Sequence, residues 1–533
     1  MFNIEEFIPL DPENQQWDVI VIGAGMGGGV SGYELAKLGK KVLFLEDGVF
    51  LPDFFDKQNV DDSVKSRKER GQWPHKIRGK TTFGRLDSFL SLGNGVGGST
   101  NLYAAQLERM HASDFEPKKN YPEICDSHLP DRWPIAYKTF TKYYRKAESL
   151  FEVSGTQDPC NLDTESNLLT PNNLTNSGEK LFQDLDDLGV NPYRSHMAVN
   201  FNICEEGCPG VVCMHRGKGD TSRLCVEPAL SRYGAKILVN CNVTKIHASK
   251  DHAQLVECNI DNKTLNITGK VIVLAAGALF TPALLMRSSS DVWPNGLANS
   301  SGMVGKNLMF HASDIFTIQP KWRVGKYYSS RQISSNQFYF VGNMKCGNIQ
   351  EMGFNWFTKK YLGGVISRKL SKLKIKLRSN NFVLNFIASF AEWVFRGSTM
   401  FASIIEDIPY LDNRVFIGNN GDLEFEYNYR DELRVRSLAL RKSLSKLVKS
   451  KYRVIKLNGK NNINFGHSCG TCCFGLDPTQ SVLDKNNRSH DISNLFIVDA
   501  SFFPSSGGAN PSLTIAANAI RVAEYIESNW DSF

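Results

Sequence analysis

What this chain of 533 residues does not contain narrows it before any motif is read. No window reaches the ~18 consecutive apolar residues that a membrane-spanning helix needs, so a bilayer-crossing segment is not expected. The opening residues, Met1-Phe-Asn-Ile-Glu-Glu, are acidic and lack the basic start and apolar run of a secretion signal. Without that signal, the 12 cysteines read as reduced thiols rather than as a disulfide framework. An intracellular, cytoplasmic protein is expected. Internal repeats and low-complexity segments are absent as well, and the long connections resemble insertions between two folded bodies.

Acidic side chains are missing from Lys359 to Arg378, where eight basic residues fall. The chain carries +7 in total, so everything outside that stretch sums to −1. Basicity this local argues against a nucleic-acid-binding surface. Within the stretch, Ile366, Leu370, Leu373 and Leu377 recur at helical spacing, and the apolar run Phe382–Phe395 follows. A basic amphipathic helix beside such a run suits docking on anionic lipid, with a solvated covering helix as the other reading. A peripheral membrane contact through 359–395 is therefore one expectation. The remaining composition, 41% hydrophobic and 22% charged with 43 Gly and 20 Pro, is that of a globular protein whose length implies two large domains.

What is present begins at Trp17-Asp-Val-Ile-Val-Ile22, a β-branched apolar run suited to a buried parallel strand. It enters Gly23, Gly25 and Gly28 and then a helical segment, Val30-Ser-Gly-Tyr-Glu-Leu-Ala-Lys-Leu-Gly39, ended by glycine. The three glycines serve a tight turn, close approach of a pyrophosphate and close helix–strand packing. The helix N-terminus then faces the phosphates with free N–H groups. Lys41–Glu46 forms a second strand whose terminal acid, 18 residues after Gly28, is placed as a ribose ligand. Two more buried strands end near the same site, Val271–Ala275 running into Ala276 and Gly277, and Leu495–Val498 running into Asp499. A ligand contacted from so many segments fits FAD better than an exchanging nicotinamide cofactor.

The remaining motifs are Gly93-Asn-Gly-Val-Gly97-Gly98-Ser99-Thr-Asn101, Trp133-Pro-Ile-Ala-Tyr137 with Tyr143-Tyr144, and Gly305-Lys-Asn-Leu-Met309-Phe-His311. The most specific block is Phe465-Gly-His467-Ser-Cys-Gly-Thr471-Cys, then Asp499-Ala500-Ser, then Gly507-Gly-Ala-Asn510-Pro511-Ser-Leu-Thr514-Ile. On these residues the chain resembles the glucose-methanol-choline oxidoreductases nearly end to end, although roughly 313–400 carries no signature of theirs. The resemblance implies an α/β fold: a Rossmann-like FAD-binding domain of discontinuous segments, with an inserted α+β substrate domain of mainly antiparallel sheet. The expected division is 17–119, 218–312 and 461–533 for FAD, and 120–217 and 313–460 for substrate. It further implies oxidation of an alcohol by hydride transfer to flavin N5. His467 matches the active-site histidine and Asn510 its partner, a His/Asn pair like that of cholesterol oxidase. Gly97, Gly98, Ser99, Asn101, Val243, Ala276, Gly277, Asp499, Ala500, Asn510, Pro511 and Thr514 join Gly23, Gly25, Gly28 and Glu46 as expected FAD contacts.

The residue types suit that chemistry on their own terms. A base must take the hydroxyl proton, and histidine's ordinary pKa of about 6.5 serves near neutrality. Asn510 can hydrogen-bond the same oxygen, and Pro511 starts a helix whose N–H groups face the flavin. Some relatives tether FAD through a histidine near Asn101; asparagine cannot form that bond, so non-covalent FAD is expected. Cys204, Cys208 and Cys213 have two readings, a small iron–sulfur site or a loop of free thiols. The missing fourth ligand favours thiols. Cys469, Cys472 and Cys473 beside His467 invite a metal reading too, but Cys472 falls in the Gly-Thr-Cys pattern of the family that the chain resembles, which holds no metal, so none is expected there. Partners are then an alcohol, lipophilic by the 382–395 run, and an electron acceptor that is oxygen, a quinone or a protein. A sugar or polyol substrate, and a non-redox lyase on the same scaffold, remain the alternatives.

Overall fold

The computed structural model describes residues 2–51, 61–161, 165–204, 210–322, 331–353 and 382–533. The expected basic amphipathic helix of 366–377 and Cys208 lie outside the described residues. Four helices matter below: α1 (Met26–Lys37), α2 (Tyr137–Leu150), α3 (Phe382–Val394) and α4 (Ser512–Ser528).

One sheet is entirely parallel and takes its five strands from three distant parts of the chain. Its order is Leu495–Ile497, Gly269–Leu274, Trp17–Ile22, Val42–Leu45 and Lys236–Leu238. These strands are almost wholly buried, which leaves no polar alternation in the sequence. α1 connects the Trp17–Ile22 and Val42–Leu45 strands and packs on α4, which in turn packs on α2. The ring of Phe44 lies flat enough on α1 that a methyl group at Gly32 would stand 2.3 Å from it.

The second sheet is antiparallel and eight-stranded. Its path is Tyr452–Lys456, Ile315–Pro320, Thr399–Ile405, Gly347–Glu351, Ile333–Ser335 and Tyr193–Arg194. Met309–Ala312 joins it beside Thr399–Ile405 and also pairs with Ile463–Cys469. The protein thus has the mixed α/β architecture expected, a parallel nucleotide-type sheet next to a large antiparallel one. Among the described residues no helix is long and apolar enough to cross a membrane.

Candidate active site

The parallel sheet ends in a cradle made chiefly of backbone. α1 begins at Gly25, whose position caps the helix without any side-chain hydrogen bond, and Met26, Gly27 and Gly28 behind it are buried. A buried helix start with no side-chain cap leaves N–H groups for water or a ligand to satisfy, and its dipole favours an anion. α4 repeats the arrangement: Pro511 precedes it, no side chain caps it, and Leu513, Thr514 and Ile515 are buried. The Gly97–Gly98 turn closes over α1, with the Gly97 N–H on the Ala24 carbonyl at 2.9 Å. A Cβ on Gly25 would meet only the Gly98 Cα, at 3.8 Å, and one on Gly277 would meet nothing within 4 Å. Asn94 Oδ1 and Asn510 Oδ1 are buried without a partner. Unmet donors at two helix starts, open backbone and orphaned amide oxygens fit an extended dinucleotide with an anionic centre.

Several residues expected to touch that ligand are already engaged. Glu46 accepts three backbone N–H groups, from Ala24 at 2.8 Å, Gly48 at 3.0 Å and Gly95 at 3.1 Å. Part of its carboxylate remains for a ribose, since a carboxylate offers about four acceptor positions. Asp499 is fuller: Gly277 N–H and the Thr281 hydroxyl reach one oxygen, and the N–H and hydroxyl of Ser501 reach the other. Its side chain clasps the Gly277 turn to the 495–501 segment and has few acceptor positions left for a ligand. Ser99 accepts the Gly93 N–H, and the Asn101 amide turns inward onto the Val96 carbonyl at 2.8 Å. Thr514 is bonded to Tyr144 at 2.8 Å. Val243 sits half-buried in the Asn242–Ala248 strand, whose Asn242 bonds Asp47 beside Glu46.

His467 and Asn510 arrive from different directions. In the antiparallel pair Met309 faces Cys469, but two residues on, His311 faces Asn464, five residues back. Three extra residues therefore bulge from one strand, and His467 rides on that bulge. Its Nδ1 lies 3.1 Å from Nδ1 of His311, with the rings nearly perpendicular. His311 is fully buried, and its Nε2 is 2.9 Å from the Gly507 carbonyl. Burial, then the neighbouring His311, pushes the His467 pKa down to about 3. Burial likewise lowers His311 to about 4. Both rings are neutral at physiological pH, and the near-neutral pKa expected of the base is corrected downward by its surroundings.

The loop carrying Asn510 is cast against groups that no sequence motif marked. The Gly508 N–H donates to the Tyr339 hydroxyl at 3.0 Å, and the Gly508 carbonyl accepts the Asn348 N–H at 3.1 Å. Tyr339 donates in turn to Asp114 at 2.5 Å. Lys345, with no exposed surface, bridges Asp114 and Glu406. Trp133, a residue the motifs did mark, donates to Ser505 at 2.9 Å. Among the described residues no three His, Cys, Asp or Glu side chains converge on a metal position. The Sγ atoms of Cys204 and Cys213 stand 3.8 Å apart.

The lowered histidines make stability acid-sensitive. A ring that stays neutral when folded but takes a proton when unfolded favours the unfolded state as pH falls from about 6.5 toward its folded value. The stability lost in His467→Ala should accordingly shrink by roughly 1–2 kcal/mol between pH 7 and pH 5, read from urea unfolding midpoints. A penalty independent of pH would mean that the ring titrates normally.

Comparison with known proteins identifies the family. Family models described as GMC oxidoreductase match residues 18–313 and 420–519. The chain is 25% identical to a paromamine 6'-oxidase of Streptomyces fradiae, the match covering 96% of this chain and 92% of that one. It is 26% identical to a 2-methyl-1,2-propanediol dehydrogenase of Mycolicibacterium austroafricanum, over 96% and 95% of the two chains. The crystal structure of a pyridoxine 4-oxidase, from an organism given as Mesorbium loti, superposes with a TM-score of 0.65 at 17% identity, over 96% and 99%. The chain belongs to the GMC oxidoreductase family and is an FAD-dependent oxidoreductase.

Proposed function

We propose that this protein oxidises an alcohol to a carbonyl, with His467 taking the hydroxyl proton and Asn510 holding the same oxygen. FAD, when bound, supplies the acceptor for the hydride. The reading rests chiefly on His467: a neutral imidazole, raised out of a sheet by a bulge and braced from behind by His311. A neutral imidazole can accept a proton at once, whereas a charged one would first have to lose its own. Asn510, on a loop bonded at Gly507 and Gly508, keeps its orientation through turnover and so aligns the C–H bond. The same reading divides the chain into an FAD-binding body of 17–119, 218–312 and 461–533 and a substrate-facing body of 120–217 and 313–460. All five strands of the parallel sheet fall in the first set, which supports this division, and the His311 strand pairs both with Ile463–Cys469 and with Thr399–Ile405.

FAD is held here without a covalent bond, since Asn101 has no nucleophile and its amide is turned to Val96. A second reading concerns where the alcohol comes from. α3 presents Phe382, Phe386, Phe390 and Trp393 outward, at 82%, 64%, 56% and 48% exposure. The eight basic residues of 359–378 precede it in sequence, so an anionic lipid surface is the partner of matching chemistry. A surface of that kind gives access to lipophilic alcohols; sugars and polyols are the alternative class. Oxygen, a quinone or a protein then takes the electrons.

Anaerobic reduction by one alcohol tests the roles. His467→Ala should keep its FAD and slow reduction by about 10²–10⁴, with a smaller loss in Asn510→Ala. Reduction of His467→Ala at the parent rate would remove His467 as the base, and flavin that never bleaches with any alcohol would favour a lyase.

Acid precipitation should release all of the yellow colour into the supernatant; colour kept by the pellet would show a covalent link. For the membrane reading, the protein should sediment with vesicles containing anionic lipid in a salt-sensitive way. Lys372, Lys374 and Lys376 changed together to glutamate should abolish that binding without altering turnover of a soluble alcohol.

A further inference from the structure

We propose that His311 is a positioning residue that fixes the tautomer of His467, so that His467 presents a bare Nε2 to the substrate. The proposal rests on the reading of His467 as the base, and its argument is a count of hydrogens along three atoms.

A carbonyl oxygen only accepts hydrogen bonds, so the 2.9 Å contact between His311 Nε2 and the Gly507 carbonyl requires a hydrogen on that nitrogen. A neutral imidazole has one ring N–H, and the fully buried His311 is neutral. Its Nδ1 is therefore a bare lone pair. Nδ1 of His467 approaches that lone pair to 3.1 Å, and two bare nitrogens would repel at this distance. The hydrogen between them consequently belongs to His467. Because His467 is neutral too, its second nitrogen, Nε2, carries none.

The consequence for the reaction is direct. The alcohol O–H bond breaks and an Nε2–H bond forms on His467, while the C–H bond of the same carbon gives up a hydride that FAD, when bound, would accept. Throughout, the Nδ1–H bond to His311 stays where it was and becomes charge-assisted, so the base need not rotate between its two states. Gly507 lies three residues before Asn510, and its carbonyl anchors the chain of contacts. The proton acceptor and the orienting amide are thus coupled through His311. A carboxylate in the place of His311 would have fixed the same tautomer while drawing a proton onto His467 in the resting state.

The experiment compares His311→Leu, which removes both ring nitrogens, with His311→Gln, which keeps one acceptor and one donor. Holoenzyme labelled with ¹⁵N-histidine is read by two-bond ¹H–¹⁵N correlation, with His467→Ala assigning the His467 signals. The parent and His311→Gln should show His467 protonated at Nδ1; His311→Leu should show the Nε2–H form or a mixture. Anaerobic flavin reduction should fall by about 10–100-fold in His311→Leu, with the alcohol's apparent dissociation constant unchanged, and His311→Gln should recover most of that loss. If His311→Leu fails to fold, the parent and His311→Gln spectra alone decide. An Nε2–H tautomer of His467 in the parent overturns the proposal, as does a His311→Leu enzyme with the parent's tautomer and rate. The tautomer is read without turnover, so it is settled even if His467→Ala shows that the base lies elsewhere.

Discussion

The structure depends on backbone meeting backbone at the end of the parallel sheet. A methyl group at Gly27 would stand 2.4 Å from the Val498 carbonyl oxygen, and one at Gly98 would stand 2.9 Å from the Gly25 Cα. Neither contact tolerates a side chain, because backbone on the other side cannot move aside as a flexible side chain can. Those two approaches bring the segments around residues 25, 98 and 498 together. The helix starts of α1 and α4, the clasp from Asp499 to Gly277, and the short path from Ala500 to the Gly470 N–H all follow from that convergence. Through Gly470 the convergence reaches the strand that carries His467.

On the other side of the site the constraint is electrostatic. Asp114 and Glu406 are fully buried on either side of Lys345, with Tyr339 and Tyr121 donating to them. Burial alone would raise the Asp114 pKa, but its polar partners, the Lys345 charge foremost, outweigh it and lower the pKa below its ordinary value. A buried ion cluster of this kind is weak evidence for net stability, because desolvation offsets most of the attraction. Its effect is to fix geometry: each member has its partners in one arrangement only, and the Tyr339 hydroxyl meets the Gly508 N–H in that arrangement. The loop of Asn510 inherits its position from charges that never touch substrate.

The nucleotide half was legible in the sequence because its physics is local. Strand, glycine turn, helix and second strand follow one another within Trp17–Glu46, and burial on both faces writes continuous apolar runs. The antiparallel half was not. Its strands bury polar side chains such as Thr317, Ser334, Asn348 and Ser403, which erases the alternation that marks a strand. Tyr193–Arg194 and Ile333–Ser335 are two- and three-residue strands that pair across a long stretch of chain. Spacing placed Glu46 correctly at a strand end, yet said nothing of the Gly95 N–H that shares its carboxylate. His467 was legible as a motif, whereas the bulge beneath it depends on a register set against residues 309–312.

That bulge places His467 where its surroundings take it far from histidine's ordinary behaviour. The nearest ionisable neighbour of His467 is a neutral ring, and Lys345 is shared between the carboxylates of Asp114 and Glu406, although the Asp114 charge still raises the proton affinity of His311. Asp407, two residues from the sheet strand beside His311, has its pKa pushed up to about 7 by burial and accepts from the Phe310 N–H and the Tyr427 hydroxyl. The acids around the imidazole pair are thus neutralised, shared or turned toward backbone. An imidazole surrounded in this way gives up proton affinity and is neutral at physiological pH. Negative charge arising beside the ring would raise its proton affinity, and loss of that charge would lower it again. Preorganised neutrality of this kind suits a reaction in which the same ring accepts a proton and must release it before the next cycle.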